Sequence, residues 1–564
     1  MLYTTSTVQE ILDDPHGKMV LELHLPGLLD SPYLGMVMGM TLEQLAQHDS
    51  DRLRPQKLDA IDAALRAQTS SHDPRDKRTP VQPNIIFVLS DQHNPLIIGN
   101  HGDPFVRTPN LDRLTAEGTA LDNCYCGSPL CVPSRSALLS GLLPHRTGIF
   151  TNFQALPSDQ TTFVHALAIA GYDTVLAGRM HFVGPDQRHG FAERLVGDIT
   201  PSTIGVGYDN YGVLRGTTGQ NRVAATKSGP GRSAVLQYDE AVLAAACGYL
   251  EQRAETSKPL FMTVGFYGPH CPFVCPHDLF EHYYETLPHP EPLDDMRGAL
   301  HPAVEKWLSN RGILDLDLDT IHRARAAYYG LIELMDQYVG RLRETIAATI
   351  GSENTLIIYS SDHGDMAGDK GMFWKSNMYE GSVRVPAIFH LPDAIPAGRR
   401  ITGLTSLLDF GPTLIELAGA PALPLADGQS IWPQLTGDKE IDPDRVVLSM
   451  CGDLKGDLPS AMVRQGPWKL IDHHSYATPQ LFNLEDDPHE QMDLGDSESH
   501  AEVKQALYQE LNQVWDGAAV HEHVQRVAAY TNLRGQFNTK TGNRYPDDWR
   551  GDPEDNTVDD VNPA

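Results

Sequence analysis

The chain has 564 residues, 41% of them hydrophobic, and its 44 basic against 74 acidic side chains leave a formal net charge of −30. A chain of this length exceeds the size at which a single core keeps growing, so we expect one large domain with smaller additions. The negative charge argues against nucleic acid and against an anionic membrane as partners, because both require a basic face. An anionic substrate would need a locally basic pocket inside this acidic protein.

The cysteines and the first residues indicate the compartment. Seven cysteines without regular spacing are poor material for a disulfide framework. The pairs Cys124 with Cys126 and Cys271 with Cys275 could ligate zinc, but neither has the paired spacing of structural zinc sites, so we expect buried packing residues. No basic segment followed by an apolar run opens the chain, and no stretch approaches the ~20 apolar residues of a membrane helix. We therefore expect a cytoplasmic protein without a signal peptide.

The first predicted element is a small helical accessory module at residues 1–68. Thr7–Glu10 and Thr41–Gln44 each have the spacing of a capping box, in which the first and fourth residues cap a helix N-terminus reciprocally. A polar stretch with prolines at 69–82 follows and predicts a linker.

From residue 83 onward, short apolar runs alternate with helical patterns, which is typical of an α/β domain with a largely parallel sheet. Ligands bind outside the carboxyl ends of the strands in such sheets. Four predicted strands therefore indicate one convergent site. Polar side chains follow them: Asp91, Gln92 and His93 after 84–90, Arg179 and His181 after 173–178, His270 after 260–266, and Asp362 and His363 after 355–361.

A predicted helix between the first and second of these strands begins near Cys131 and ends at Gly141. Pro133 is tolerated in a first helical turn, where its missing N–H costs little. Cys131 should therefore lie at a helix N-terminus, where unpaired N–H groups favour negative charge, and Arg135 lies one turn further on. This placement predicts a reactive centre that faces an anion.

The strand ends also suggest a metal site. Asp91, Gln92 and Asp362 offer oxygen ligands and His363 adds a nitrogen, a mixture that suits a hard divalent cation. An all-oxygen set would indicate calcium, whereas the histidine leaves manganese and magnesium open.

Residues 131–141 match the signature C-x-P-S-R-x-x-x-L-x-G, and the chain resembles the formylglycine-dependent (type I) sulfatases of the alkaline phosphatase superfamily. The resemblance covers residues 83–495. A finer likeness at 180–191 points to the branch of choline-sulfatases and phosphonate monoester hydrolases. Further motifs carry it: Ser361–Gly368 followed by Lys375, Glu380, Val385 and Pro386, and Gly178–His181, where arginine stands in place of the usual lysine.

The resemblance implies an alkaline-phosphatase-like fold, with a mostly parallel central sheet flanked by helices and a smaller C-terminal α+β subdomain. The implied divisions are a catalytic domain at 83–437, the C-terminal subdomain at 438–517 and a polar tail at 518–564. The tail and the accessory module predict a homo-oligomer, either a dimer or a tetramer, with the tail between subunits.

The resemblance also implies metal-dependent hydrolysis of sulfate monoesters. A maturation enzyme, the formylglycine-generating enzyme, would oxidise Cys131 to formylglycine, whose hydrate attacks sulfur to form a covalent sulfate hemiacetal. The resemblance also implies that Arg135 stabilises negative charge and that His181 acts as a general base. One divalent metal ion, with Ca²⁺ favoured over Mn²⁺ and Mg²⁺, would bind to Asp91, Gln92, Asp362, His363 and residue 131. The sulfate group would bind to Lys375, His270, Arg179 and Asn152.

Two alternatives to a small-molecule sulfate ester hydrolase stay open at this point. The same scaffold could act on phosphonate monoesters or phosphodiesters. In a different class, the protein could be a scaffold whose cysteine is never modified, with residues 1–68 as its interaction module. The intact metal and lysine positions favour an enzyme.

Overall fold

The computed structural model describes residues 4–13, 18, 20–21, 25, 28, 34–48, 53, 57–58, 61, 82–205, 211–253, 258–297, 300–452, 456–543, 549 and 551–559. The chain divides into two compact units, Met1–Thr79 and Pro80–Ala564. The predicted linker at 69–82 lies outside the described residues except for Gln82. Nothing among the described helices is long and apolar enough to cross a bilayer.

The first unit is helical in its described part, with α1 Val8–Leu12, α2 Leu34–Val37 and α3 Leu42–His48. Both predicted capping boxes are present. Thr7 N donates to Glu10 Oε2 over 2.8 Å and Glu10 N to Thr7 Oγ1 over 3.3 Å, and Thr41 and Gln44 exchange the same pair of bonds. The unit has its own apolar core, which includes Val8, Ile11, Leu21 and Leu42.

The second unit is built on strands, and the four apolar runs predicted to form strands are among them. The strands are, in chain order, β1 Asn84–Asp91, β2 Thr119–Tyr125, β3 Asp173–Gly178, β4 Glu193–Val196, β5 Gly229–Arg232, β6 Leu260–Pro269, β7 Val274–Cys275, β8 Thr355–Ser361, β9 Arg384–Val385, β10 Ala387–His390, β11 Arg399–Ser406, β12 Val446–Cys451, β13 Ser460–Gln465, β14 Trp468–His473, β15 Gln480–Asn483 and β16 Thr557–Val558.

The large sheet has the order β11-β2-β10-β8-β1-β6-β3-β4, with β9 paired to β2. Its ladders are parallel except those made by β9 and by β10, which runs antiparallel to both β2 and β8. The central strands are buried on both faces, as expected where helices cover a parallel sheet. The predicted α/β class is confirmed.

The second unit also contains the helices that cover this sheet and connect its strands, together with helices that pack elsewhere. They are α4 Pro109–Glu117, α5 Cys131–Ser140, α6 Pro144–Thr147, α7 Phe163–Ile169, α8 Arg222–Thr226, α9 Ala234–Arg253, α10 His277–Thr286, α11 Leu293–Arg297, α12 Pro302–Arg311, α13 Leu318–Ala348, α14 Glu380–Val383, α15 Phe410–Ala418, α16 Trp432–Leu435, α17 Ala501–Asn512 and α18 Gly517–Thr541.

A second, antiparallel sheet of order β12-β13-β14-β15 packs against α17. The polar segment after it, which the sequence suggested to be a tail, is a 25-residue helix over most of its described length, α18. Its burial is sparse, because only Val520, Val524 and Asn538 are buried on it, and this explains why no apolar periodicity marked it. The predicted boundaries at 437 and 517 stay a prediction.

The register of the central strands brings their carboxyl ends to one level. Ser90 of β1 lies opposite Ser361 of β8, and Gly178 of β3 lies opposite Gly265 of β6. A Cβ on Gly265 would lie 2.0 Å from Arg179 O, so only glycine permits the two chain segments to approach so closely there. The four predicted strand ends therefore meet, as the sequence indicated.

Candidate active site

Cys131 is the first residue of α5. Leu130 precedes the helix in an extended conformation, and Gly141 ends it with φ 72°. Cys131 is 1% exposed and is a free thiol. Its Sγ lies 3.2 Å from His363 Nε2 and 3.8 Å from Asp91 Oδ1. The helix therefore delivers the cysteine to the ends of β1 and β8.

A compact group of potential metal ligands surrounds this thiol. One ligand atom each from Asp91, Cys131, Asp362 and His363 lies within 4.8 Å of all the others, and all four residues are buried. Within the described part of the chain, this is the one group of three or more such side chains so arranged. Four of the five predicted metal positions thus come together.

Gln92, the fifth predicted metal position, has a different immediate role in this structure. It adopts φ 72°, its Oε1 accepts a very short hydrogen bond from Lys375 Nζ, and its Nε2 donates to Asp365 Oδ2 over 2.5 Å. Asp365 also accepts from the backbone N–H groups of Ala367 and Trp374. The carboxylate of Asp365 therefore fixes which end of the Gln92 amide faces Lys375.

Arg135 connects the two carboxylates of the metal group. Its Nε donates to Asp362 Oδ2 over 2.7 Å and its Nη2 to Asp91 Oδ2 over 3.1 Å, while Nη1 donates to Arg179 O over 3.0 Å. The side chain is 1% exposed. A planar guanidinium can make all these bonds at once, which an ammonium cannot.

Arg179 and His181 form a second edge of the site, in which Arg179 carries the positive charge. Arg179 Nε donates to Asp91 Oδ2 over 2.6 Å and Nη1 to Asp198 Oδ1 over 3.0 Å. Arg179 Nη2 lies 2.9 Å from His181 Nδ1, and because a guanidinium only donates, the ring proton of neutral His181 resides on Nε2. Asp198 Oδ2 also accepts from His181 N over 2.7 Å, so one carboxylate orients both residues.

His270 follows the end of β6 and is 5% exposed. Its Nδ1 lies 2.7 Å from Cys271 O, so Nδ1 carries the proton and Nε2 the lone pair. The Tyr267 ring lies edge-on to His270, with centroids 4.8 Å apart, and its face lies 4.5 Å from Arg179 Cζ. Asp239 of α9 holds this turn by accepting from Tyr267 N and Gly268 N.

Asn152 lies beside the cysteine helix. Its Oδ1 accepts from Val132 N over 2.9 Å, which satisfies one of the unpaired donors of the first turn of α5. The structure thus gives Asn152 a contact to the helix that carries Cys131, in addition to the substrate contact predicted for it.

Burial and charge set the protonation of these groups. Burial by itself would raise the pKa of the Asp91 carboxyl, but Arg179 and the neighbouring cations hold it well below its usual range. Burial, with the Asp91 carboxylate, raises the pKa of the Cys131 thiol to about 11. Burial lowers the pKa of His363, and burial together with Arg179 holds the pKa of His181 well below its usual range. The centre therefore combines the ionised carboxylate of Asp91 with neutral imidazoles and a neutral thiol.

Comparison with known proteins identifies the family. A family model described as Sulfatase matches residues 83–420, which is more than half of the chain, and one described as N-sulphoglucosamine sulphohydrolase, C-terminal, matches residues 368–516. The chain belongs to the sulfatase family. The resemblance indicated by the motifs is confirmed, and the protein is an enzyme that hydrolyses sulfate esters.

A curated relative agrees with this family assignment, and two solved structures share the fold. The choline-sulfatase of Rhizobium meliloti (strain 1021) is 34% identical over 445 residues, covering 74% of this chain and 83% of that protein. A protein solved in complex with its substrate D-glucosamine-2-N,6-O-disulfate has a TM-score of 0.64 at 22% identity, over 79% of this chain and 98% of that one. The phosphonate monoester hydrolase of Agrobacterium radiobacter has a TM-score of 0.62 at 22% identity, over 77% and 95%. The predicted alkaline-phosphatase-like fold is confirmed.

Sequence reasoning missed three buried carboxylates that orient the sulfatase site. Asp365 lies inside the motif Ser361–Gly368, and its distance of two residues from His363 was an available signal. Asp198 follows β4 and Asp239 lies on α9, and nothing in the local sequence marks either one. All three are completely buried, which only the tertiary structure shows.

Proposed function

We propose that this sulfatase hydrolyses sulfate monoesters with a formylglycine made from Cys131 as the nucleophile and with one divalent cation beside it. The observation that carries the proposal is the position of Cys131, at the first residue of α5 and 3.2 Å from His363 Nε2. Burial and Asp91 raise the pKa of the Cys131 thiol to about 11, so the thiol is protonated at neutral pH and is by itself a poor nucleophile.

The residues present fit a hard divalent cation. Asp91 and Asp362 offer ionisable oxygens, and His363 offers a neutral ring nitrogen because burial lowers its pKa. These three residues and residue 131 would hold the ion. Gln92 Oε1 is a further candidate oxygen ligand, and in this structure it accepts a hydrogen bond from Lys375 Nζ. The oxygen majority favours Ca²⁺, and the imidazole leaves Mn²⁺ and Mg²⁺ as alternatives. A bound cation would supply positive charge next to the nucleophilic oxygen and the sulfate group.

Lys375 is the proposed partner of the sulfate group and of the departing alcohol oxygen. Burial alone would lower the pKa of Lys375, but Cys131 and Asp91 raise it above its ordinary value, so the side chain remains an ammonium. An ammonium fixed by Gln92 can stabilise negative charge that develops on an oxygen and can donate a proton to it. His270 presents Nε2 to the same region because Nδ1 donates to Cys271 O.

Arg179 and His181 are the proposed groups for the opposite side of the sulfate. The Arg179 guanidinium, held by Asp91 and Asp198, would neutralise sulfate oxygens and exclude water from the site. His181 is the proposed proton-transfer residue. Its Nε2 carries the proton while Nδ1 accepts from Arg179, so a general-base role requires exchange of this hydrogen bond.

The decisive experiment is the mass of the tryptic peptide 114–135 from protein expressed with and without the formylglycine-generating enzyme, together with turnover of an aryl sulfate. We expect the peptide to be lighter by the cysteine-to-formylglycine difference only after coexpression, and turnover to rise with the modified fraction. A Cys131→Ala variant should be inactive. Turnover by fully unmodified protein or by C131A would overturn the proposal.

The choice of ester is a second part of this experiment. The choline-sulfatase relative makes choline sulfate the first alkyl ester to test beside the aryl sulfate. An aryl phosphonate monoester is tested on the same preparation, because the fold alone also fits a phosphonate monoester hydrolase. Higher kcat/KM on the phosphonate would replace the proposed substrate class.

A further inference from the structure

Gln92, which directly follows β1, has a strained backbone conformation. Its φ is 72°, and a non-glycine residue pays a steric cost in this left-handed region. Such a conformation persists where the surrounding structure holds it in place. The Gln92 amide meets two partners, since Lys375 Nζ donates to Oε1 and Asp365 accepts from Nε2. The backbone conformation of Gln92 therefore determines whether this amide reaches both partners.

Tyr328 of α13 contacts that backbone directly. Its side chain is completely buried, and its hydroxyl donates to Gln92 O over 2.6 Å and accepts from Asn94 N over 2.9 Å. A backbone N–H can only donate and a carbonyl oxygen can only accept, so the single phenol proton goes to Gln92 O. Burial raises the pKa of Tyr328 well above its usual value, so the hydroxyl keeps this proton. One hydroxyl thus satisfies Gln92 O and Asn94 N together.

Tyr328 completes a closed ring of hydrogen bonds that includes the Gln92 amide. Asn94 Nδ2 donates to Asp365 O over 2.7 Å, and Asp365 Oδ2 accepts from Gln92 Nε2 over 2.5 Å. The Tyr328 hydroxyl joins the remaining two members, Asn94 and Gln92. All four residues are 6% exposed or less. A buried network of this kind is rigid while every member is satisfied, and removal of one member leaves its partners unpaired.

We propose that Tyr328 is a positioning residue of the active site, whose hydroxyl holds Gln92 in the conformation that presents Oε1 to Lys375 and to the proposed cation. The inference rests on the proposed function and deepens it. It assigns the support of one proposed metal position to α13, a helix that carries none of the proposed catalytic or metal residues.

Tyr328→Phe is the test variant because it removes only the hydroxyl. The Phe273 ring lies edge-on to the Tyr328 ring with centroids 5.7 Å apart, and a phenylalanine keeps this packing. Gln92 O and Asn94 N lose their shared partner in the variant. Gln92 is then released from the left-handed region, and its amide no longer faces Lys375 and the proposed cation.

Two readouts follow Gln92 Oε1 toward its two proposed partners. Calorimetric titration of chelator-treated protein with Ca²⁺ and with Mn²⁺ measures the cation site, and we expect Kd to rise about tenfold in Y328F, as is usual when a metal ligand loses its outer support. The second readout is the ratio of kcat/KM for p-nitrophenyl sulfate to kcat/KM for phenyl sulfate in fully modified protein. Phenolate is the poorer leaving group and depends more on the Lys375 ammonium, so we expect this ratio to rise about tenfold in Y328F.

Two further variants separate positioning from a general loss of structure. Partial unfolding lowers kcat/KM for both esters alike and leaves their ratio unchanged. Tyr329→Phe is the matched control on the same helix, since the Tyr329 hydroxyl donates to Asp103 Oδ2 over 2.7 Å and not to the ring of hydrogen bonds. Gln92→Gly adopts φ 72° without strain but lacks the amide, so Y328F should not raise Kd further in that background.

A change in either readout that Y328F shows and Y329F does not supports the inference. Wild-type values of both readouts in Y328F would overturn the inference and leave the proposed function standing. An equal change in Y329F, or an undiminished effect of Y328F on Kd in the Gln92→Gly background, would also overturn the inference alone. Absence of both cation binding and sulfate ester turnover in the fully modified wild type would overturn the proposed function and this inference together.

Discussion

Arg179 Nε donates to Asp91 Oδ2 over 2.6 Å, and the two side chains are 1% and 0% exposed. The same guanidinium reaches Asp198 on its other side. Related motifs carry lysine at this position, so the arginine is a departure from the usual pattern. Because the guanidinium is planar and has several N–H donors, this one buried cation donates to two buried carboxylates. Asp91 belongs to the proposed metal group, and Asp198 also accepts from His181 N.

We therefore predict that Arg179→Lys is not a conservative change. A lysine can satisfy one of the two carboxylates, and breaking a buried ion pair costs about 3–5 kcal/mol, part of which the remaining contact recovers. We expect the free energy of unfolding in urea to fall by about 2–3 kcal/mol and kcat/KM for an aryl sulfate to fall at least tenfold. Arg113→Lys, at an exposed pair with Glu117, is the control. Equal values for R179K and the wild type would contradict the bridging role.

A second prediction concerns the support of Gln92 by Asp365. In Asp365→Asn, the new amide can keep its bonds to Ala367 N and Trp374 N but presents an NH₂ group to Gln92. Gln92 then turns its oxygen away from Lys375 and from the proposed cation. Loss of such an orienting contact lowers metal affinity about 10–100-fold. Calorimetric titration of chelator-treated protein with Ca²⁺ and Mn²⁺ measures this, with Asp112→Asn on α4 as the control.

Asn152 allows two roles to be separated. Asn152→Ala removes the acceptor for Val132 N and should lower the free energy of unfolding by about 1 kcal/mol. Asn152→Asp keeps that acceptor, so its stability should stay within about 0.5 kcal/mol of the wild type. If Asn152 also binds sulfate, the added negative charge in N152D raises KM for an aryl sulfate at least tenfold. Wild-type KM in N152D would limit Asn152 to its contact with the helix.

The pH dependence of stability should report on Asp336 of α13, which accepts from Asn110 N and Leu111 N at the start of α4. Burial raises the pKa of Asp336 to about 6, above an unfolded value of about 3.9. The folded state therefore favours the protonated carboxyl. This preference adds to the free energy of unfolding in full below about pH 4, and the added stability is lost as the pH rises through 6.

Asp336→Asn removes that titration. Between about pH 4 and pH 7, we expect the free energy of unfolding of the wild type to fall relative to D336N by up to about 3 kcal/mol. Urea unfolding at several pH values measures the difference, with the exposed Glu240→Gln on α9 as the reference variant. A difference that stays constant with pH would show that Asp336 does not titrate in this range.

The local features of the site could be read from the sequence because short segments encode them. Pro133 and Gly141 indicated both ends of α5 through local backbone preferences, and the apolar runs of β1, β3, β6 and β8 indicated which residues end at one sheet edge. The family motifs then named Cys131, Asp362 and Lys375 as members of one centre. The structure brings the polar residues at these strand ends together because the strands pair in parallel and in register.

Only the tertiary structure determined how the side chains at that edge are partnered. Asp365 lies 273 positions from Gln92 and Asp198 lies 19 from Arg179, and no periodicity within a single segment encodes such pairs. The same holds for α18, whose few buried side chains leave no apolar pattern. Local sequence determines which elements form because capping and burial periodicity act over a few residues. The site's hydrogen bonds depend on which distant elements the closed core brings into contact.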